Sequence, residues 1–423
     1  MSHVLLTFLG KGEKGSDDLY EEEKYHFDDD DTSYETNFFG LAVLEHLKNK
    51  GSPPDKLVIL GTPSSMWNAL YEVNGEVEDD SEDEWAALAD AIEENTEYPE
   101  EEEIEEEKIT KYFPTLKTAI SKYLGGIECD LRVIPYGESQ EKQIAILEKM
   151  AECIKEKDTV SLDITHGLRH LPMLTVFSAM YLEVVKKVTI AGIYYGAEGI
   201  KNRHDGIAPA LNLKGLLGIA NWVGALKSFD KDGDYGVFTD LLETDGLATT
   251  QTKPLKDAAF FERIFNVSQA VKKLTAFRNN VPEDLPGIGH LFSGTLNDHT
   301  EWATKGNLYK HQRDLAYSFL DKQDYPRAAI FAVEAFVTHR MMKEGSYSKK
   351  DICSFWKRKP VSEDLSGISD SNKRSAFDLL KKLRNTMAHV NEPRDEVKKI
   401  LEDKNPQQRL ETELRKLVKC LLP

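Results

Sequence analysis

Arg384 and His389 stand five positions apart in the stretch LRNTMAHV, and Asn385 directly follows the arginine. Histidine can both accept and donate a proton near neutral pH. Arginine stays charged and binds phosphate oxygens through two parallel hydrogen bonds. Such a pair could cleave a phosphodiester without a metal, by assisting attack of a ribose 2′-hydroxyl on its neighbouring phosphate and stabilising the developing charge. This chemistry requires the 2′-hydroxyl and therefore RNA.

The residues around this pair have the spacing of an amphipathic helix. Its apolar stripe consists of Phe377, Leu380, Leu383, Met387 and Val390. On a continuous helix the arginine and the histidine would stand about 140° apart and about 7.5 Å apart along the axis, so one helix cannot direct both at one atom. Two copies related by a two-fold axis would form a composite pocket. The spacing also fits a surface arginine and a histidine that caps the helix C-terminus.

Charge is distributed unevenly along this 423-residue chain, whose net charge is −19. Residues 76–107 hold 18 Asp and Glu and no Lys or Arg. Charges of one sign at this density repel each other, which predicts a solvated, partly disordered surface insertion without chemistry. Residues 301–423 carry 25 Lys and Arg against 18 Asp and Glu, so this part of the chain can attract phosphates.

Hydropathy and cysteine usage predict a cytoplasmic protein. The sequence has no apolar run of transmembrane length, and its start, MSHVLLTFLGKG, lacks the pattern of a secretory signal. The cysteines are far apart and include no C-x-x-C pair, which fits a reducing compartment and neither a disulfide framework nor a zinc cluster. They are Cys129, Cys153, Cys353 and Cys420.

The elements that must position these residues fall into two classes. Residues 1–212 alternate strand and helix patterns, which predicts a Rossmann-like α/β domain with a parallel sheet. Its candidate strands are 3–10, 56–62, 131–137, 159–165 and 188–196, and its candidate helices are 34–50, 139–157 and 171–187. From Leu213 onward the patterns are helical, with residues 213–300 as a connector and 301–423 as an all-α domain.

Each candidate strand of the first domain ends in a loop of small or polar residues, among them GTPSS, YGES and DITHGLRH. Ligands of parallel sheets bind at this edge, where helix N-termini favour anions. No dinucleotide fingerprint and no P-loop motif is present, which disfavours NAD and NTP. His166 and His170 have the spacing of a metal pair, but Gly167 interrupts the turn and no third ligand is evident, so we expect no metal.

The string R-N-x-x-x-H on a late helix of an all-α domain resembles the R-x(4–6)-H signature of HEPN ribonucleases, in which a polar residue commonly follows the arginine. The resemblance implies that Arg384 and His389 are catalytic and Asn385 supportive, in a dimeric, metal-independent site. Cleavage of single-stranded RNA there would leave 2′,3′-cyclic phosphate ends. Glu334, within the apolar segment AAIFAVEAFV, could orient Arg384 or belong to an ordinary buried ion pair.

Three separated strings, LLTFLG, LGTPSSMW and SLDITHGLRHLP, look like the CARF domains of CRISPR-associated proteins of type III systems. This resemblance implies that a cyclic oligoadenylate, with four adenylates favoured over six, binds across a dimer and switches on the ribonuclease. The assembly would be a homodimer or a higher even-numbered homo-oligomer without cofactor, metal or membrane. The ligand contacts implied by position are Gly10, Lys11, Thr62, Ser64, Ser65, Asp163, Thr165, His166, Gly167 and Arg169.

Two other functions stay open on the sequence alone. The chain could be a nucleotide-sensing dimeric scaffold whose helical domain docks a partner and cleaves nothing. Alternatively, the CARF domain could itself degrade its cyclic oligoadenylate activator and so end the signal.

Overall fold

The computed structural model describes residues 1–16, 18–73, 76–203, 205–389 and 392–422, so Val390 of the predicted apolar stripe lies outside the described residues. The chain divides into two compact units, Met1–Leu217 and Gly218–Pro423. The first unit is α/β and the second is helical, as the sequence predicts. Within the described residues, no helix is long and apolar enough to cross a membrane.

A mixed sheet forms the centre of the first unit. The strands in chain order are β1 (His3–Leu9), β2 (Glu23–Phe27), β3 (Ser33–Thr36), β4 (Lys56–Gly61), β5 (Glu72–Val73), β6 (Glu76–Val77), β7 (Glu128–Val133), β8 (Thr159–Asp163), β9 (Thr189–Gly196) and β10 (Ala208–Asn212). Eight of these described strands pair in the order β3-β2-β10-β9-β8-β1-β4-β7, while β5 and β6 form a separate hairpin.

The five predicted strands are confirmed as the parallel part of the sheet, β9-β8-β1-β4-β7. Beyond β9 the sheet is mixed, because β10 runs antiparallel to β9 and β3 runs antiparallel to β2, whereas β10 and β2 are parallel. Residues 34–36, predicted to begin a helix, lie in β3. The missed strands EKYHF and SYET are short and rich in polar residues, and SYET forms the edge of the sheet.

Apolar side chains on both faces explain why β1 is a central strand. Leu5 and Leu9 belong to the core on one face, whereas Val4, Leu6 and Phe8 belong to the core on the other. Because successive side chains of a strand point to opposite faces, a continuous apolar run indicates burial on both sides. The carboxyl end of β1 is therefore held in place from both faces of the sheet.

Helices cover the sheet and build the second unit. They are α1 (Phe39–Asn49), α2 (Glu82–Glu97), α3 (Glu102–Thr110), α4 (Phe113–Leu124), α5 (Gln140–Glu152), α6 (Leu171–Val185), α7 (Gly215–Asp232), α8 (Thr239–Thr244), α9 (Thr249–Arg263), α10 (Val267–Asn280), α11 (Ser293–Glu301), α12 (Leu308–Asp321), α13 (Tyr325–Glu344), α14 (Lys349–Ile352), α15 (Phe355–Glu363), α16 (Ser371–Ala388), α17 (Asp395–Leu401) and α18 (Pro406–Leu421). Short 3₁₀ helices span Trp67–Tyr71, Glu198–Arg203, Tyr235–Phe238 and Gly287–Phe292.

Two apolar clusters stabilise the second unit. One is formed around Trp222, Phe238 and Leu274, within the part that the sequence analysis treats as a connector. The other contains the inward faces of α12, α13, α16 and α18, including Phe377, Leu380 and Leu383 of the predicted stripe. Their burial fixes the rotation of α16 about its axis, and with it the direction in which Arg384 points.

The acidic segment 76–107 is helical and packed, so the prediction of a partly disordered insertion is wrong. Leu88 of α2 is fully buried against the core of the first unit. Lysines outside the segment offset its charge: Lys142 lies 2.6 Å from Glu102, and Lys149 lies 3.3 Å from Glu106. A count of charged residues takes no account of the apolar residues within the segment or of the cations that lie near it in the folded chain.

Candidate functional sites

The carboxyl ends of β1 and β8 meet at one point of the sheet. After β1 the chain forms β2 and β3 at the far end of the sheet, crosses to β4 and β7 on the other side of β1, and then returns to build β8 and β9. The crevice between β1 and β8 is therefore the topological switch point, where open α/β sheets bind ligands. Gly10 and Gly167 touch there: a Cβ atom added to Gly10 would lie 2.5 Å from the Gly167 nitrogen.

The loop after β4 is closed by its own hydrogen bonds. The Thr62 N–H donates to Ser65 Oγ at 2.9 Å, and Trp67 Nε1 donates to the Thr62 carbonyl at 2.9 Å. Met66 N–H donates to the Gly10 carbonyl at 2.8 Å, which joins this loop to the end of β1. Thr62, Ser64 and Ser65 are buried, so the structure brings them to the predicted edge with their hydroxyls inside.

Asp163 supports the loop after β8 from within the sheet. Its carboxylate is fully buried and accepts hydrogen bonds from Thr7 Oγ1 at 2.5 Å and from the Thr165 N–H at 2.8 Å. Burial raises its pKa. Thr165 Oγ1 in turn accepts a hydrogen bond from the Gly196 N–H at 2.8 Å. Both residues lie at the predicted edge, and Asp163 fixes the loop geometry without facing solvent.

His166 and His170 bind different neighbours. Phe39 N–H, in the first turn of α1, donates to His166 Nε2 at 3.2 Å, so the ring is neutral with its proton on Nδ1. Burial lowers the pKa of His166, while the Asp163 charge acts in the opposite direction. His170 Nε2 lies 2.9 Å from the Tyr136 carbonyl. The described residues contain no group of three His, Cys, Asp or Glu that could hold a metal.

Lys11, Gly167 and Arg169 are exposed at this edge. Lys11 Nζ lies 3.4 Å from Thr96 Oγ1, on the C-terminal turn of α2. These residues offer two cations and a glycine backbone beside the switch point, a combination that attracts anions.

The acidic segment contacts the same edge, which the sequence analysis missed. The Tyr136 N–H donates to Glu102 Oε1 at 3.1 Å, and the Tyr136 hydroxyl donates to Glu105 Oε2 at 3.1 Å. Burial, together with the Glu105 charge, raises the pKa of Tyr136 to about 12. Asn95 Nδ2 donates to the Pro63 carbonyl at 3.3 Å. The segment thus forms a rim beside the loops that follow β4 and β7.

Helix α6 begins two residues after Arg169 and carries an apolar stripe on its outer face. Met173, Phe177 and Val184 are 65%, 63% and 68% exposed. Their spacing of four and seven residues places them on one side of the helix. A contiguous apolar surface of this kind indicates contact with another protein surface.

Arg384 and Asn385 line a cleft of about 1100 Å³ in the second unit. The Nε atom of Arg384 is buried and has no hydrogen-bond partner among the described residues. The lining also includes Lys359, Lys381, Lys382 and Arg394. Burial lowers the pKa of Lys381, whose Nζ donates to the Ser362 carbonyl at 2.9 Å, and the nearby Arg384 charge adds to this shift.

His389 lies outside this lining and is exposed. It is the C-cap residue of α16, with φ −133° and ψ 145°, and its N–H donates to the Asn385 carbonyl at 3.0 Å. The expectation that both residues lie on one continuous helix is therefore wrong, because the helix ends at Ala388 and the backbone turns to an extended conformation. Within one chain, Arg384 and Asn385 lie together and His389 stands apart.

Glu334 pairs with Arg358 and not with Arg384, so of the two roles left open by the sequence the structure shows the ordinary ion pair. Arg358 Nη2 lies 2.5 Å from Glu334 Oε2, and its Nε lies 3.1 Å from the same oxygen. Helix α15 brings Arg358 across α13, an arrangement that sequence spacing cannot show. Glu334 therefore pairs with Arg358, while Arg384 lines the same cleft.

The first unit matches a known family. Residues 4–199 match the family model described as the CARF domain of the CRISPR system endoribonuclease Csx1, so the first unit is similar to a CARF domain, and this match supports a CARF-containing, CRISPR-associated effector. The whole chain is 25% identical over 459 residues to the CRISPR-associated protein MJ1674 of Methanocaldococcus jannaschii, and the match covers 100% of this chain and 67% of that protein. A CARF domain implies a sensor of cyclic oligoadenylate in a type III CRISPR system.

Proposed function

We propose that the protein is a ribonuclease activated by cyclic oligoadenylate. The ring, which we infer to be cyclic tetra-adenylate, binds at the Gly10–Gly167 edge of two CARF domains. Its binding activates metal-independent cleavage of single-stranded RNA by Arg384 and His389 of two chains. The buried, unpartnered Nε of Arg384, a residue that lines the cleft, is the observation that carries this proposal.

Two neighbouring cations of the cleft have acidic partners, unlike the Nε atom of Arg384. Arg358 is paired with Glu334, and Lys382 lies 2.8 Å from both Asp378 and Glu396. A buried donor without a partner costs about 1–3 kcal/mol, so a charged group left in this state is suited to donate a hydrogen bond to a phosphate oxygen. Arg384 therefore fits the role of stabilising the negative charge of the pentacoordinate transition state.

The position of His389 supports a site shared between two chains. His389 is exposed at the C-terminal end of α16 and does not line the cleft of its own chain. In a two-fold dimer its ring can reach the phosphate held by the other chain. The imidazole removes the proton of the 2′-hydroxyl, the oxygen attacks phosphorus, and the 5′-oxygen leaves as a hydroxyl once it is protonated. The products are a 2′,3′-cyclic phosphate and a 5′-hydroxyl, and Asn385 positions the phosphate.

Dimerisation of the sensor is supported by the apolar stripe of α6. The stripe begins four residues after Arg169, so contact between two α6 helices would place two copies of the Gly10–Gly167 edge near one two-fold axis. A ring of four identical nucleotides has compatible symmetry and carries negative charge. Two copies of Lys11 and Arg169 can then bind it equivalently, and its preference for one arrangement of the domains would activate the nuclease.

Cleavage of a fluorescent single-stranded RNA by the full-length protein, with cyclic tetra-adenylate and a metal chelator, tests the catalytic assignment. Arg384→Ala and His389→Ala are expected to abolish cleavage while the protein keeps its wild-type mass in solution. Arg409→Ala, on the exposed side of α18, and His290→Ala, on an exposed 3₁₀ helix, serve as matched controls that cleave at the wild-type rate. Full activity of the His389→Ala protein would refute the assignment.

A further inference from the structure

Two large aromatic rings stand exposed beside the Arg384 cleft. Phe355 and Trp356, at the start of α15, are 64% and 78% exposed. Their centroids are 5.3 Å apart in an edge-to-face arrangement, and Phe355 lines the cleft itself. Adjacent exposed rings of this size indicate a surface that another molecule covers.

Cations flank these rings. The local sequence is SFWKRK, in which Lys357 and Lys359 are exposed and Lys359 lines the cleft. Aromatic rings interleaved with cations are the pattern by which proteins bind single-stranded nucleic acid, since unpaired bases stack on the rings and phosphates lie near the cations. The cations therefore favour a polyanionic partner, and the exposed rings favour one that has flat, apolar faces.

Arg358 holds this segment rigidly. Besides its ion pair with Glu334, its Nη1 donates to Thr338 Oγ1 at 2.9 Å and to the Ile352 carbonyl at 2.8 Å. The residue between the two exposed lysines thus points inward and fixes α15 to α13. A platform that is ordered before binding avoids the entropic cost of ordering upon binding.

A second copy of the chain fits this surface less well than RNA does. Lysine is depleted in the cores of protein–protein interfaces. A two-fold contact through Phe355 and Trp356 would bring Lys357 and Lys359 close to their own copies, and charges of one sign would repel each other.

We propose that Phe355 and Trp356 form a base-stacking platform for unpaired RNA bases. The platform positions the strand so that a neighbouring phosphodiester reaches Arg384, and it selects against paired RNA, whose bases are not accessible for stacking. This inference rests on the proposed ribonuclease function, of which it specifies the positioning residues.

Binding of a fluorescent single-stranded oligoribonucleotide, measured by anisotropy with the full-length His389→Ala protein, tests the platform. Replacing both rings by leucine keeps apolar bulk and removes the aromatic faces. We expect about 5- to 150-fold weaker binding for each base that loses its stacking partner. Replacing both by tyrosine should restore most of the affinity. Phe260→Leu, at a 57% exposed ring outside the cleft lining, is the matched control and should bind normally.

An oligonucleotide with the same phosphates and no bases separates stacking from charge. The protein with intact aromatic rings and the leucine variant should bind this oligonucleotide without bases equally weakly. In cleavage assays without the His389 substitution, the leucine variant should show a raised KM and little change in kcat.

Unchanged RNA affinity of the leucine variant would overturn the platform, as would an equal loss of affinity for the oligonucleotide without bases. Dissociation of the dimer by the leucine substitutions, measured by sedimentation, would also overturn it and assign the surface to a second copy. If the rings prove necessary for RNA binding but no variant with His389 cleaves RNA, the ribonuclease function alone fails. Wild-type cleavage together with normal binding by the leucine variant would refute the platform alone.

Discussion

Gly10→Ala tests whether the ends of β1 and β8 must touch for the sensor to bind its ring. The added Cβ would lie 2.5 Å from the Gly167 nitrogen and 3.0 Å from His166 Cβ, both shorter than a normal contact. A backbone nitrogen cannot rotate away as a flexible side chain can, so the loop after β8 must shift. Overpacking of this kind costs about 1–3 kcal/mol. If binding requires the unshifted loop, affinity falls by about 5- to 150-fold.

Calorimetric titration with cyclic tetra-adenylate measures this effect. Gly215→Ala is the matched control, because its added Cβ would meet no atom within 4 Å. The affinity of this variant for cyclic tetra-adenylate should not change. A thermal unfolding scan of both variants separates a local shift of the loop from loss of the fold. At saturating ring concentration, RNA cleavage by the folded Gly10→Ala protein should return towards the wild-type rate. Wild-type ring affinity in Gly10→Ala would refute the assignment of the binding edge.

Two further predictions concern stability and assembly. Burial raises the pKa of Glu262 to about 8 from an ordinary 4.5, so the folded protein keeps a proton that the unfolded chain releases, and stability falls as pH rises between these values. Glu262→Gln should therefore raise Tm at pH 8 more than at pH 5 in calorimetric scans, and an equal change at both pH values would contradict this origin. Phe177→Glu should dissociate the dimer in sedimentation experiments, whereas the exposed-site control Tyr98→Glu should not, and an intact Phe177→Glu dimer would exclude the α6 contact.

The sequence predicts the parallel part of the sheet because its strands are buried on both faces and read as continuous apolar runs. It does not predict β2, β3 and β10, because these strands are short and lack a continuous apolar run, and β10 takes its place by pairing with β2, a strand that is distant in sequence. The acidic helices were missed for another reason: two of their carboxylates pair with lysines of α5, and this pairing exists only in the folded chain.

For the candidate sites, local spacing identifies residues but not their partners. The pattern around α16 places Arg384 beside an apolar stripe, and the structure directs it into a cleft. The same pattern could not show that the helix ends before His389 or that Glu334 forms its ion pair with Arg358. The exposure of Phe355 and Trp356 likewise depends on how α15 packs, since an aromatic pair in a sequence is usually buried.

The central claim is that a ring bound to the CARF domain controls cleavage of RNA by the helical domain. It is tested most directly by the rate of RNA cleavage as a function of cyclic tetra-adenylate concentration, for the wild type and for Arg169→Ala. We expect the wild-type rate to rise from background to saturation, and the Arg169→Ala curve to reach the same maximum at higher ring concentrations. A wild-type rate that does not depend on the ring, with cyclic hexa-adenylate equally without effect, would contradict the account.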